Sequence, residues 1–278
     1  MRSMLNTPAL TAESQAVLTT LTTELSGTDP YSARVARAKA LWDSKLSSKA
    51  KKAAFDEIKA TLTAACSGHR RCNYCEDSVA DEIEHVRPKD LYPEQCFTWT
   101  NYLYACGPCN GPKGALFAVF IGASDVPMEI GRKDGDPVVP PPVGPPALLD
   151  PRLDDPLDFF FLDLASDPPT FVMLPLPGLP SRDDARARYT QRVLHLNDRV
   201  HLVDARRTSY EALLSALVRV AAARKGLLAE TVAMAMAGAR EVVANTPHRF
   251  VWEVMKRHRL KLPKVDTLFG IVPEALAW

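Results

Sequence analysis

The sequence predicts an α+β fold that is mainly helical, with its β content confined to the middle of the chain. Three observations carry this. Apolar residues recur at helical spacing, as in Phe55, Ile58, Leu62 and Ala65, and similar patterning returns over the last third. A cysteine-bounded segment from Cys72 to about Phe120 interrupts that periodicity. A proline-dense run over residues 136–156 can be neither helix nor central strand.

Taken in order, residues 11–26 read as a helix. Asp29-Pro30 signals a second start, and helical periodicity continues to about residue 65, with Ser47-Ser48 marking a break and Gly68 an end. Between residues 43 and 71, seven Lys or Arg stand against three Asp or Glu. That basic surface reads either as a phosphate-contacting face or as a solvated one. The proline run, with Val139-Pro140-Pro141-Pro142 and Gly144-Pro145-Pro146, is an extended connector. Residues 159–164 and 170–174 read as two short strands around Asp167-Pro168-Pro169, a hairpin.

Helices are expected over 182–196, 200–224, 227–244 and 247–259, punctuated by Gly226 and Asn245-Thr246-Pro247. Arg182, Arg186, Arg188 and Arg192 give the first of these a basic side. The alanine-rich stretch 229–239 suits a helix packed closely on its neighbours, or an oligomer or partner surface. Between residues 246 and 264, Glu253 alone opposes Arg249, Lys256, Arg257, Arg259, Lys261 and Lys264, a second basic patch. The apolar tail, 269–278, is expected to dock back onto the body. There is no internal repeat. The resulting division is 1–70 helical, 71–120 cysteine-bounded, 121–180 connector and hairpin, and 181–278 helical.

The composition, 46% hydrophobic and 24% charged, argues against wholesale disorder. A net charge of +1 means that any footprint for a polyanion must be local. Residues 1–20 lack an apolar secretory core, and the longest apolar stretch, around 115–123, is too short to span a bilayer. The expectation is a cytoplasmic protein. In that reducing setting, paired C-x-x-C motifs favour metal over disulfide.

Two such motifs are present, Cys72-Asn73-Tyr74-Cys75 and Cys106-Gly107-Pro108-Cys109. Two C-x-x-C turns supply four sulfurs, the set a structural Zn²⁺ prefers. An iron–sulfur or redox role uses the same residues, but the two-plus-two pattern suits zinc best. Thirty residues separate Cys75 from Cys106, room for a hairpin between the knuckles. A module of this size buries little core, so a metal staple would supply folding free energy. Replacing Cys72 or Cys109 by Ser is expected to unfold it. Cys66 and Cys96 lack partners at ligand spacing and read as small buried hydrophobes.

Between and beside the knuckles lie Glu84-His85-Val86-Arg87-Pro88, Asn101 and Asn110. Hydrolysis of a phosphodiester requires a base to activate water, a cation for the equatorial oxygens and help for the leaving oxygen. His85 titrates near working pH and suits the base. Glu84 offers a hard carboxylate oxygen for Mg²⁺ or Mn²⁺, and Asn110 an amide oxygen. In a strand, Glu82 and Glu84 share a face while His85 points the other way, so the chain must bend at the strand's end for Glu84 and His85 to meet one phosphate. Glu76 and Glu82 are reserve ligands.

This constellation resembles the HNH, or ββα-metal, endonucleases over about residues 71–117. In that family an acid-His-x-x-Pro strand and loop is followed by a middle Asn and then by a helix with the last Asn or His, often in C-x-x-C-N-x-x-K. Here the later elements are Trp99-Thr100-Asn101-Tyr102-Leu103 and Cys106-Gly107-Pro108-Cys109-Asn110-Gly111-Pro112-Lys113. The resemblance implies His85 as general base, Glu84 and Asn110 as catalytic-metal ligands, and Asn101 as a brace of the hairpin. It also implies Arg87, Lys89 and Lys113 near phosphate. Two departures stand out. Glu84 replaces the commoner Asp, and Gly111-Pro112 falls where the metal-bearing helix runs, which implies a later start or a distorted helix.

The wording is most similar to a bacterial subgroup that includes HNH subunits of Septu-type anti-phage systems. That resemblance implies a defence nuclease beside an ATPase partner. DNA is the favoured target. The catalytic set fits RNA, such as tRNA, as well, and a non-catalytic zinc ribbon that binds nucleic acid or a partner is the third reading. One module cuts one strand, so double-strand cleavage requires a homodimer or two events.

Overall fold

The computed structural model describes residues 1–66, 69–77 and 79–278. The chain is α+β, with short two-stranded antiparallel sheets set among helices. It opens with helices α1 (Ala12–Ser26), α2 (Tyr31–Asp43) and α3 (Lys49–Ala64). Thr11 caps α1 and Ser48 caps α3, each side-chain oxygen accepting a backbone N–H of the first turn. The break predicted at Ser47-Ser48 is thus the α3 cap. Glu57 of α3 accepts both the backbone N–H and the hydroxyl of Thr11, at 2.7 Å each, and so fixes where α1 starts. Gly68, the expected helix end, lies outside the described residues; α3 stops at Ala64.

Phe55, Ile58 and Leu62 of α3 are fully buried, and α3 backs the central hairpin of β1 (Glu82–His85) and β2 (Tyr102–Ala105). The strands pair Glu82 with Ala105, Ile83 with Tyr104, Glu84 with Leu103 and His85 with Tyr102. Helix α4 (Gly107–Lys113) follows at once. It begins directly after Cys106 despite Pro112 in its last turn, so the expected late start is not seen. Gly114, at φ +42°, closes it, its N–H donating to Asn110 O at 2.7 Å.

Strands β3 (Ala118–Val119) and β4 (Met128–Glu129) form a second small sheet. The proline run is extended, as its composition requires, but it is not loose. Phe120 N–H donates to Pro145 O and Ala147 N–H to Ala118 O, both at 2.9 Å. Between them Gly144 lies so close to the chain that a β-carbon there would sit 2.1 Å from Phe120 O. The predicted hairpin is β5 (Phe160–Leu162) with β6 (Met173–Pro175).

The rest is helical: α5 (Ser181–Val193), α6 (Val200–Arg224), α7 (Val232–Asn245), α8 (Arg249–Arg257) and α9 (Pro263–Ile271). Helix α7 starts five residues later than its periodicity suggests, because Thr231 supplies the cap. Its buried face, Ala235, Ala239 and Val243, belongs to a helix packed against α6, the close approach that small side chains allow. The apolar tail docks as expected, with Phe269, Val272 and Ala275 buried, and its first part is α9. A continuous hydrophobic core runs from Met1 to Ala275 through every segment. Among the described residues, no helix is long and apolar enough to cross a membrane.

Candidate metal centre and cleft

The four knuckle cysteines converge. Their Sγ atoms all lie within 4.8 Å of one another, and all four residues are buried. Cys75 and Cys106 Sγ are 3.8 Å apart. A tetrahedral Zn²⁺ with sulfurs at about 2.3 Å sets its ligands about 3.8 Å from each other. The donor set and spacing therefore fit zinc. The knuckles reach this geometry because the hairpin brings them together: Asn73 N–H donates to Tyr104 O at 2.8 Å, and Asn73 Oδ1 accepts Tyr104 N–H at 2.7 Å. Hydrogen bonds from Cys106 and Cys109 hold the Cys75 thiol well below its ordinary pKa, so that sulfur is poised as a thiolate. Arg199, at the N-terminal edge of α6, donates to Cys109 Sγ at 3.2 Å. No sequence motif marked Arg199. Cys66 and Cys96 are buried and free.

On the other side of the hairpin a cleft of about 260 Å³ is lined by Trp42, Glu84, His85, Pro88, Lys89, Asp90 and Asn110. Strand β1 ends at His85, and the chain then bends under Asn101. Asn101 Oδ1 accepts Arg87 N–H at 2.8 Å, and its Nδ2 donates to Arg87 O and Gln95 O, both at 3.0 Å. Glu84 and His85, neighbours within β1, both line this cleft, ahead of the bend.

His85 is 6% exposed, packed edge-on against Trp42 and Tyr102. Its Nε2 lies 2.9 Å from Cys96 O. A carbonyl only accepts, so Nε2 carries the proton and Nδ1 keeps its lone pair. Burial, with help from Lys89, Lys113 and Lys45, pushes the imidazole pKa down to about 3. The ring is neutral at neutral pH, below the near-working-pH titration expected from its type.

Glu84 forms an ion pair with Lys113, whose ammonium also donates to His85 O at 3.0 Å. Burial raises the Glu84 carboxyl above the usual carboxylate range, and Lys113 offsets this only in part. Asn110 lines the same cleft as Glu84, and its Nδ2 donates to Glu82, the reserve acid on β1. The Glu84 carboxylate is thus paired with Lys113, while the bond to Glu82 uses the Asn110 nitrogen and leaves its amide oxygen available as a ligand. Glu76, the other reserve, is buried beside the cysteines, accepting Phe250 N–H at 3.4 Å.

The expected phosphate contacts separate. Lys113 is fully enclosed. Arg87 stacks over Tyr92 and Phe117 and lines a neighbouring cleft with Arg182 and Arg186. Lys89 stays at the cleft, and Lys45, two residues past the end of α2, sets its ammonium 4.6 Å from the ring of Trp42, which lines the cleft. The arginines of α5 and several cations of the second patch are paired with acids. On α5, Arg182, Arg186, Arg188 and Arg192 pair with Asp125, Asp154, Asp184 and Glu129. In the second patch, Arg249 and Lys256 flank Glu253, while Arg257 and Arg259 pair with Asp158 and Asp266.

Comparison with family models finds no match, and no solved structure matches. Among curated proteins, a 51-residue stretch is 43% identical to Septu protein PtuB of Bacillus thuringiensis. The match covers 16% of this chain and 20% of that protein, so it spans about a fifth of the relative's length. This is a partial likeness to a Septu protein, carried by a short segment.

Proposed function

We propose that this chain is an HNH-type endonuclease that hydrolyses phosphodiester bonds in nucleic acid, DNA favoured over RNA, within a bacterial anti-phage system. The observation that carries this reading is His85, held as the Nε2–H tautomer by Cys96 O inside a cleft it shares with Glu84 and Lys89. In that reading Nδ1 of His85 takes a proton from the attacking water. Asn101 keeps the bend in place, and Lys89 and Lys45 attract the phosphate backbone. The four cysteines would hold a structural Zn²⁺ that staples the hairpin to α4. The likeness to a Septu protein supports the defence setting; an ATPase partner and, for double-strand cutting, a homodimer complete the proposal.

A second reading has its own support. Glu84 and Asn110 are already engaged by Lys113 and Glu82. A non-catalytic zinc scaffold that binds nucleic acid or a partner requires no more of these residues.

The test is cleavage of supercoiled plasmid, linear DNA and bulk tRNA by wild type and His85→Ala, each with Mg²⁺, Mn²⁺ or EDTA. Cutting that requires the divalent ion and vanishes in the variant is expected. The substrate cut decides DNA against RNA. Cutting that survives His85→Ala overturns the assigned base.

A further inference from the structure

The cysteine cluster is bordered by an arginine of the C-terminal half that no part of the nuclease reading requires. Arg199 reaches it directly: Nη2 lies 3.2 Å from Cys109 Sγ and 3.0 Å from Leu194 O. Its Nη1 is buried with no hydrogen-bond partner among the described residues. A guanidinium left partly unpaired in such a place needs another source of stabilisation. Arg206, about two turns further along α6, is 4% exposed. Its guanidinium donates to Phe171 O, Asn197 Oδ1 and Leu196 O, at 3.3, 3.2 and 2.6 Å. All three acceptors are neutral, so this buried cation also lacks a carboxylate among its hydrogen-bond partners. The charges it feels most are those of Glu76 and Cys75.

A divalent ion held by four thiolates leaves roughly two negative charges in excess. Burying that excess without counter-charge is costly. We infer that Arg199 is an outer partner of the cysteine-bound metal. Arg199 donates an N–H···S bond to Cys109, and its charge offsets part of the thiolate excess, fastening α6 to the module. This rests on the reading that a divalent metal fills the four-cysteine site. Arg199 acts through Cys109, so it is a positioning residue.

The experiment uses the full chain loaded with zinc and, separately, with cobalt. Zinc release to a colorimetric chelator is timed for wild type, Arg199→Gln and Arg199→Lys. The thiolate-to-cobalt absorption band is recorded for each. Arg199→Gln is expected to release zinc about 10- to 100-fold faster and to shift the cobalt band. Arg199→Lys, which keeps the charge without the fork, is expected to fall between the two. If the Gln variant does not fold, the Lys variant carries the comparison with wild type. Wild-type zinc retention and an unshifted band in whichever variants fold would overturn the inference. A wild-type chain that binds neither metal stoichiometrically would instead overturn the metal reading beneath it.

Discussion

Lys113 and Glu84 form an ion pair from which solvent is nearly excluded, with side-chain exposures of 0% and 6%. The ammonium also holds the carbonyl of His85, so one lysine on α4 fixes two consecutive residues of β1. Removing one partner of a buried pair leaves the other uncompensated. Lys113→Met is therefore expected to cost about 3–5 kcal/mol of stability. Adding Glu84→Gln should recover most of that loss. Urea unfolding of the two variants and wild type checks both statements.

Asn101 is expected to be as important for shape as His85 is for chemistry. Its amide satisfies three backbone groups on the loop after β1. Asn101→Ala would leave buried polar groups unpaired and should cost about 2–4 kcal/mol. Amide exchange should then rise selectively over residues 86–96 while α6 and α7 stay protected.

The four-cysteine site makes a stoichiometric prediction. The purified chain should carry one zinc, measured by elemental analysis. Chelation or Cys72→Ser should abolish near-ultraviolet dichroism from the aromatic cluster around Tyr102 and Trp42 while sparing much of the helical signal. Zinc-free protein with an unchanged spectrum would contradict this.

Acid should act on His85 in a definite direction. Its pKa is about 3 in the folded chain and about 6.5 when unfolded. The unfolded state binds the proton first, so stability from the neutral ring is complete above about pH 6.5 and is lost as pH falls towards 3. Asp150 opposes this: burial raises its pKa to about 6, so its contribution is lost as pH rises through that value. Comparing wild type with His85→Gln removes the Asp150 background. The wild type should lose about 2–3 kcal/mol more than the variant between pH 6.5 and 4, read from denaturation midpoints.

Most helices were legible because their signals are local. Phe55, Ile58 and Leu62 mark a buried stripe, and Thr11 and Ser48 sit where caps belong. The cysteine knuckles were legible because ligand spacing is itself short-range. What the sequence could not convey is long-range pairing. The charges on α5 and α8 read as basic surfaces, yet their partners Asp125, Asp154, Glu129 and Asp158 lie far away in the chain. Nothing in the spacing shows that Lys113 pairs with Glu84 or that the Asn110 nitrogen donates to Glu82. Trp42, Lys45, Arg199 and Arg206 carried no motif, since each joins a site only through tertiary packing. The low pKa of His85 likewise comes from enclosure by Trp42 and Tyr102, not from its neighbours in sequence.

The lacing of residues 145–147 along 118–120 has a further consequence. Residues 132–143 are mostly exposed, and a protease would find its way in there. The cut would part the polymer without parting the particle. The downstream piece would stay knitted to the upstream one by Phe120, Ala118 and the arginine at Cys109. Two bands on a denaturing gel would then travel as one species through a sizing column.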